Sequence, residues 1–241
     1  MGTAQRHVFL TGGTGYLGSR LIPALLERRH AVRALTRAQA RSTLPAGCPA
    51  IVGDPLQSST FVQHVPPADT FVHLVGVSRP APWKAKQFRM VDLPSVQASL
   101  AAARSAVVSH LMYISVARPA PVMKAYLQVR AECEALIRTS GLHATILRPW
   151  YILGPGHYWP MALLPVYWLM ERLPATRDSA RRLGLVTLKQ MIDALVWVIE
   201  HPPLSQSFLS QGSRQGEERG KSEGIIRVMD VDRIRSTLPE T

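Results

Sequence analysis

Hydrophobic positions along this chain come in two alternating textures. Short, flat apolar runs are separated by longer segments whose apolar residues recur at helical spacing. Val8–Leu10, His30–Thr36, Ile51–Val52, Thr70–Val75, His110–Ser115 and Ala144–Leu147 predict six strands. Runs that are apolar throughout suit a sheet covered on both faces. Ser19–Arg28, Val91–Ala106 and Lys124–Ser140 predict the intervening helices, the last of them stopped at Gly141. Thr187–Glu200 predicts a further amphipathic helix, with Met191, Ile192, Leu195, Val196, Val198 and Ile199 on its apolar side. His201-Pro202-Pro203 ends it. Ile225–Val231 predicts one last strand. Alternating strand and helix is the pattern of an α/β fold, a doubly wound parallel sheet with helices on both faces.

The texture changes after Pro149. Trp150, Trp159 and Trp168 fall among proline-flanked turns and an apolar run, Met161–Met170. The expected organisation is a core over residues 1–149, then a small C-terminal substrate lobe plus elements returning to the core over 150–241. Residues 210–224 are polar and glycine-rich and predict a flexible loop inside that second part.

The first strand runs straight into Thr11-Gly12-Gly13-Thr14-Gly15-Tyr16-Leu17-Gly18, and a helix pattern follows at once. Gly13, Gly15 and Gly18 fit the dinucleotide-binding spacing, and Gly12, Gly15 and Gly18 fit its three-residue variant. Such a turn must be tight, and its backbone must come close to a pyrophosphate at the helix N-terminus. Gly12, Thr14, Gly15, Tyr16, Leu17 and Gly18 are the expected cradle. The end of the second strand carries Arg33, Arg37 and Arg41, and no carboxylate lies between Arg28 and Gly53. A cofactor with a free ribose 2′-OH usually meets Asp or Glu there. A 2′-phosphate would instead meet charge-assisted donors, so the pattern favours NADP over NAD, with Arg37 as the contact and Arg33 a solvated strand residue. Asp54, after the third strand, is placed to accept from an adenine amino group. Val75-Gly76, after the fourth, would let the backbone approach a ribose.

Composition narrows the rest. The 241 residues are 46% hydrophobic, enough for a large core. No run reaches the ~18 apolar residues of a membrane span. The first strand begins so early that no leader segment is expected, and a cytoplasmic location follows. Two cysteines, Cys48 and Cys133, exclude a disulfide framework, and no His or Cys grouping has metal-ligand spacing. The formal charge of +12 points to anionic partners. The arginines are scattered, however, so a basic solvated surface is the expectation and a nucleic-acid partner is not.

Taken with Gly53-Asp54, His73-Leu74-Val75-Gly76, Tyr113-Ile114-Ser115, Tyr126 four residues before a basic residue, and Leu147-Arg148-Pro149, the glycine turn resembles the short-chain dehydrogenase/reductase superfamily. Within it the chain is similar to the atypical NAD(P)H-binding branch, which includes relatives of the nitrogen-metabolite repressor, of quinone-related reductases and of a complex I accessory subunit. The resemblance spans residues 7 to about 203. It implies a Rossmann domain with a small C-terminal substrate lobe and nicotinamide contact near Pro149. In catalytic members it also implies a Ser–Tyr–Lys set. There the Tyr hydroxyl protonates a carbonyl, the Lys lowers the Tyr pKa and holds the nicotinamide ribose, and the Ser positions the carbonyl oxygen.

Here the matching positions are Ser115, Tyr126 and Arg130. One helical turn stacks Arg130 beside Tyr126, where its charge favours a phenolate. A guanidinium cannot replace an ammonium atom for atom or relay a proton. The residues alone also fit plainer roles: a strand-end hydroxyl, a helix-face aromatic and a surface charge. The expectation is therefore an NADPH-dependent reductase of a small apolar or quinone-like carbonyl compound. Its alternative is a non-catalytic NADPH sensor, scaffold or assembly factor of the same fold. Trp150–Pro160 would wall the substrate site, with His157 either assisting proton transfer or purely structural. Met161–Met170, flanked by Arg172, Arg177, Arg181 and Arg182, reads as a pocket lid or core helix, with peripheral contact to an anionic membrane surface as the other reading.

Overall fold

The computed structural model describes residues 4–120, 122–156, 183–203 and 224–237. Seven strands form one parallel sheet: β1 (His7–Thr11), β2 (Ala31–Thr36), β3 (Ala50–Val52), β4 (Thr70–His73), β5 (His110–Ile114), β6 (Ala144–Arg148) and, returning from the C-terminal part, the strand Ile226–Asp230. Their order is β3-β2-β1-β4-β5-β6 with the returning strand at the far edge, paired with β6 from Ala144↔Ile226 to Arg148↔Asp230. This is the Rossmann arrangement, and the strand order reverses between β1 and β4.

Side-chain alternation along the strands sorts the core into two layers. Val8, Leu10, Met112 and Leu147 point to one face. There they pack with Leu21, Ile22 and Leu25 of α1 (Gly18–Glu27) and with the later helix that begins at Leu188. Phe9, Phe71, Leu111, Tyr113 and Ile146 point to the other face. Two helices cover it: α2 (Leu93–Ser105) and α3 (Lys124–Arg138). The predicted helix Val91–Ala106 is part of a longer helical segment that begins at Ala85 and turns α-helical again as α2 at Leu93. Pro94 has no N–H to give and sits in the first turn of α2, where none is needed. A π-helical turn, Phe88–Asp92, precedes it and buries both end residues.

The C-terminal part holds two strands that the apolar pattern did not announce, β7 (Tyr151–Leu153) and β8 (Leu185–Thr187), paired in parallel. Three residues each are too short to show a period. The predicted helix at 187–200 is α4 (Leu188–Glu200), and Thr187 caps it: Gln190 N–H donates to the Thr187 hydroxyl while the Gln190 side chain accepts from Thr187 N–H. β9 (Ile226–Asp230) then completes the sheet, and α5 (Val231–Ser236) buries Val231 and Ile234 beside α4. The Met161–Met170 run, His157, Trp159 and all of the 210–224 loop but Gly224 lie outside the described residues. Among the described residues no helix is long and apolar enough to cross a membrane.

Candidate functional site

The carboxyl ends of β1, β2, β4 and β5 open onto a groove at the point where the strand order reverses. Two cavities of about 390 and 550 Å³ share Gly12, Gly15, Leu74, Val75, Gly76 and Ser78 and so form one continuous cleft. Gly12 is in the left-handed region, φ 80°, and an added Cβ would stand 2.8 Å from the Leu74 carbonyl carbon at the end of β4. At Gly18 a Cβ would drive into the Gly12 and Gly13 backbone, so the turn and α1 pack closer than any other residue allows. The tight turn expected of the motif is thus present at Gly12, and Gly18 lets α1 pack close against it.

The start of α1 lines the first cavity. It has no side-chain cap and no acidic residue in its first turn. A helix N-terminus left in that state favours an anion as its cap. Glycines without room for a Cβ and an uncapped helix end are what a dinucleotide pyrophosphate requires, so the residues present fit the cofactor. Thr14, Arg37, Asp54 and Pro55 line the second cavity, and Tyr16 and Leu17 line the first.

Four of the positions read from the sequence, Arg33, Asp54, Gly76 and Pro149, are engaged by the protein itself. Arg33 is half-buried and tied down: its guanidinium donates to the carbonyls of His64 (3.0 Å) and Pro66 (2.6 Å). Arg37 makes no side-chain hydrogen bond or ion pair with the described residues, and it is the exposed guanidinium facing the second cavity. Asp54 already accepts from Leu56 N–H (2.9 Å) and from the Gln57 side chain (3.2 Å), so only spare lone pairs are left for an adenine. Gly76 lines both cavities, but its missing Cβ serves another purpose: a Cβ there would stand 2.6 Å from Arg130 Nη2. Pro149 is buried with its carbonyl accepting from Ala117 N–H (3.0 Å), and at this end the cavity wall comes from Ile152.

Ser115, Tyr126 and Arg130 meet at the first cavity. Arg130 is not a surface charge. It is buried, with Nη1 donating to the Tyr113 hydroxyl (2.9 Å) and the Ile114 carbonyl (3.0 Å), and Nη2 3.5 Å from Asp92 Oδ2. Its guanidinium lies 5.0 Å from the Tyr126 ring centroid. Burial holds the Tyr113 hydroxyl well above its usual range, so this group is neutral and the counter-charge for Arg130 is Asp92. Burial also pushes the Asp92 carboxyl upward, opposed by Arg130 and by Val77 N–H, which donates to Oδ1 at 2.8 Å. The Phe88 ring packs on Tyr126 at 5.0 Å and fixes its approach to the cavity. His73, behind the site, is pushed down to about 3 by burial and by the Arg130 charge.

Ser115 is engaged. Its hydroxyl donates to Glu134 Oε1 at 2.6 Å. Glu134 is itself buried and accepts from Arg148 through both Nε (3.0 Å) and Nη2, and from Arg118 Nη2 (2.6 Å). Burial alone would raise this carboxyl; the Arg148 and Ser115 hydrogen bonds outweigh it and hold it below the carboxylate range. Asp92 and Glu134 thus surround the predicted residues without any signal in the motifs, and Tyr113, named only as part of the strand-end motif, joins them. Outside the motifs a signal existed for Glu134. It shares an α3 face with the buried Arg130 and Ile137, where an unpaired carboxylate would be expensive.

Comparison with known proteins agrees with this geometry. A ceramide reductase of Caulobacter vibrioides is 25% identical over 215 residues, which is 88% of this chain and 67% of that protein. A ketoreductase of Stigmatella aurantiaca, named for 4-hydroxy-2-methyl-3-oxo-4-farnesyl-3,4-dihydroquinoline-1-oxide, is 26% identical over 168 residues. The match covers 61% of this chain and half of that protein's length. Among solved structures, an enzyme of Bordetella bronchiseptica in complex with NAD+ superposes with a TM-score of 0.62 at 16% identity, covering 94% of this chain and 86% of the other. A short-chain dehydrogenase/reductase superfamily protein of Agrobacterium tumefaciens with bound NAD gives 0.61 at 16%, covering 96% and 91%. A family model described as NAD(P)H-binding matches residues 12–156, more than half of the chain, from the glycine turn to the end of β7. The chain belongs to that NAD(P)H-binding family.

Proposed function

We propose that this protein is an NADPH-dependent reductase of an amphiphilic ketone. The observation that carries the reading is the convergence of Tyr126, Arg130 and Ser115 on the cavity that continues the glycine-turn cleft. The substrate class draws on the two curated relatives, both reductases and both named for compounds with a long apolar portion. The phosphorylated cofactor is supported by the exposed, unpaired Arg37 and by the absence of a carboxylate between Arg28 and Gly53.

Gly12 to Gly18 would hold the pyrophosphate, Arg37 the 2′-phosphate and Val75-Gly76 the ribose side of the cleft. The bound nicotinamide supplies a hydride to the carbonyl carbon. Tyr126 gives its hydroxyl proton to the carbonyl oxygen, and solvent restores that proton afterwards. Arg130, whose guanidinium lies 5.0 Å from the Tyr126 ring centroid, stabilises the transient phenolate electrostatically and stays protonated throughout. Ser115 would orient the carbonyl oxygen by turning its one hydroxyl proton from Glu134 Oε1 to the substrate.

That last contact also favours the second reading, an NADPH-binding sensor or scaffold without turnover, because a serine donating to a carboxylate is a weaker carbonyl anchor. The two readings separate by experiment. NADPH titration followed by calorimetry, with an NADPH-oxidation screen over long-chain ketones and prenylated quinones, should give turnover that Tyr126→Phe lowers by about two orders of magnitude or more. Cofactor binding should survive in that variant. Binding without oxidation of any acceptor selects the sensor. Equal affinity for NADH and NADPH, unchanged by Arg37→Ala, removes the phosphate preference.

A further inference from the structure

The segment between β4 and α2 forms one rim of the cavity and is unusual in both composition and presentation. From residue 70 to residue 91 it contains no acidic residue, while Arg79, Lys84, Lys86 and Arg89 fall within it. Trp83 stands 84% exposed and Met90 59% exposed. Just before α3, whose Tyr126 lines the cavity, Val122 is 52% exposed close in sequence to the exposed Lys124.

These apolar side chains are held out by an anchored scaffold. Lys84 Nζ donates to the Ser78 carbonyl at 2.8 Å, and Arg89 pairs with Glu132 of α3 at 2.9 Å. Phe88, fully buried, packs on Tyr126 and joins this rim to the start of α3. A folded chain seldom pins a whole indole in water unless something covers it.

The chemistry of the cover follows from charge and area. A Trp side chain buries at most about 250 Å², and Met and Val bury less, so the patch falls short of the ~800 Å² per partner that a specific protein interface needs. An indole at the polar–apolar boundary with a ring of cations is what an anionic bilayer surface accepts. We propose that the Trp83 rim, with Met90 and Val122, docks the protein on an anionic lipid surface and turns the cavity mouth toward the bilayer. None of its residues belongs to the Met161–Met170 run. Because partitioning is measured without turnover, the proposal stands or falls apart from the reductase reading.

The test is co-sedimentation of the full chain with vesicles of phosphatidylglycerol and phosphatidylcholine, against phosphatidylcholine alone. Wild type should partition to the anionic vesicles only and be released by raised salt. Each cation at such a surface is worth about fivefold in partitioning, so Lys86→Glu/Lys124→Glu should lower it by more than about tenfold. Trp83→Ser should lower it comparably, with thermal midpoints unchanged because all three residues are exposed. Trp168→Ser should have little effect. No partitioning by wild type, or wild-type partitioning by either rim variant, overturns the proposal.

Discussion

Glu134→Gln tests the ion cluster that ties α3 to the ends of β5 and β6. The carboxylate is 1% exposed and takes hydrogen bonds from Arg148, Arg118 and Ser115. Gln keeps the shape but removes the charge, and it turns an NH2 group toward a guanidinium that also has only donors. Breaking a buried pair from one side typically costs about 3–5 kcal/mol. Arg148 and Arg118 keep 18% and 29% of their side-chain surface in water, which softens the loss toward the low end. About 3 kcal/mol in a chain of this size lowers the thermal midpoint by about 6–12 °C. The sign with pH follows from the depressed carboxyl. Its contribution is present above its ordinary 4.5 and fades as the pH falls through the lower native value, so variant and wild type should converge in acid. The assay is thermal denaturation of wild type, Glu134→Gln, Arg148→Met and the double variant. A midpoint within about 2 °C of wild type, or strictly additive losses in the double variant, would refute the cluster as a coupled unit.

Three further outcomes are expected. His73 and His110 are each held near 3, chiefly by burial, against 6.5 for a free imidazole. The unfolded chain therefore binds more protons between those values, and each histidine should remove about 2 kcal/mol of stability by pH 5, visible in urea titrations. His110→Asn should halve that loss, and an unchanged pH slope would count against it. Val107, 86% exposed at φ 53° after α2, occupies a position that suits glycine, and Val107→Gly should raise the thermal midpoint by about 2–4 °C for a gain of about 1 kcal/mol. Gly76→Ala should push the Arg130 guanidinium away from Asp92 and cost about 1–3 kcal/mol by urea unfolding; a neutral effect would show that Arg130 has room to move.

The Lys-to-Arg difference has a structural accommodation that the motif alone conceals. A lysine at position 130 could not satisfy Tyr113, Ile114 and Asp92 together, because those acceptors lie around a planar fork. Gly76 leaves the volume that the larger head needs. The neighbourhood is thus built for Arg130 as it stands.

Periodicity and turn chemistry were enough for the parallel sheet, the two-sided helical cover and the glycine turn. All three depend on neighbours in sequence: flat apolar strands, amphipathic helices, and glycines where the backbone cannot carry a Cβ. The grouping of Ser115, Tyr126 and Arg130 came only from the family resemblance, since the residues alone fitted plainer roles. What only the tertiary structure decided involves partners far apart in the chain. Glu134 meets Arg148 and Ser115, Asp92 meets Arg130, Arg33 reaches the carbonyls of His64 and Pro66, and the Ile226–Asp230 strand crosses to the edge beside β6. A buried charge must find its counter-charge in three dimensions. Which of 44 acidic and basic side chains supplies it is fixed by packing, and local spacing carries no record of that choice.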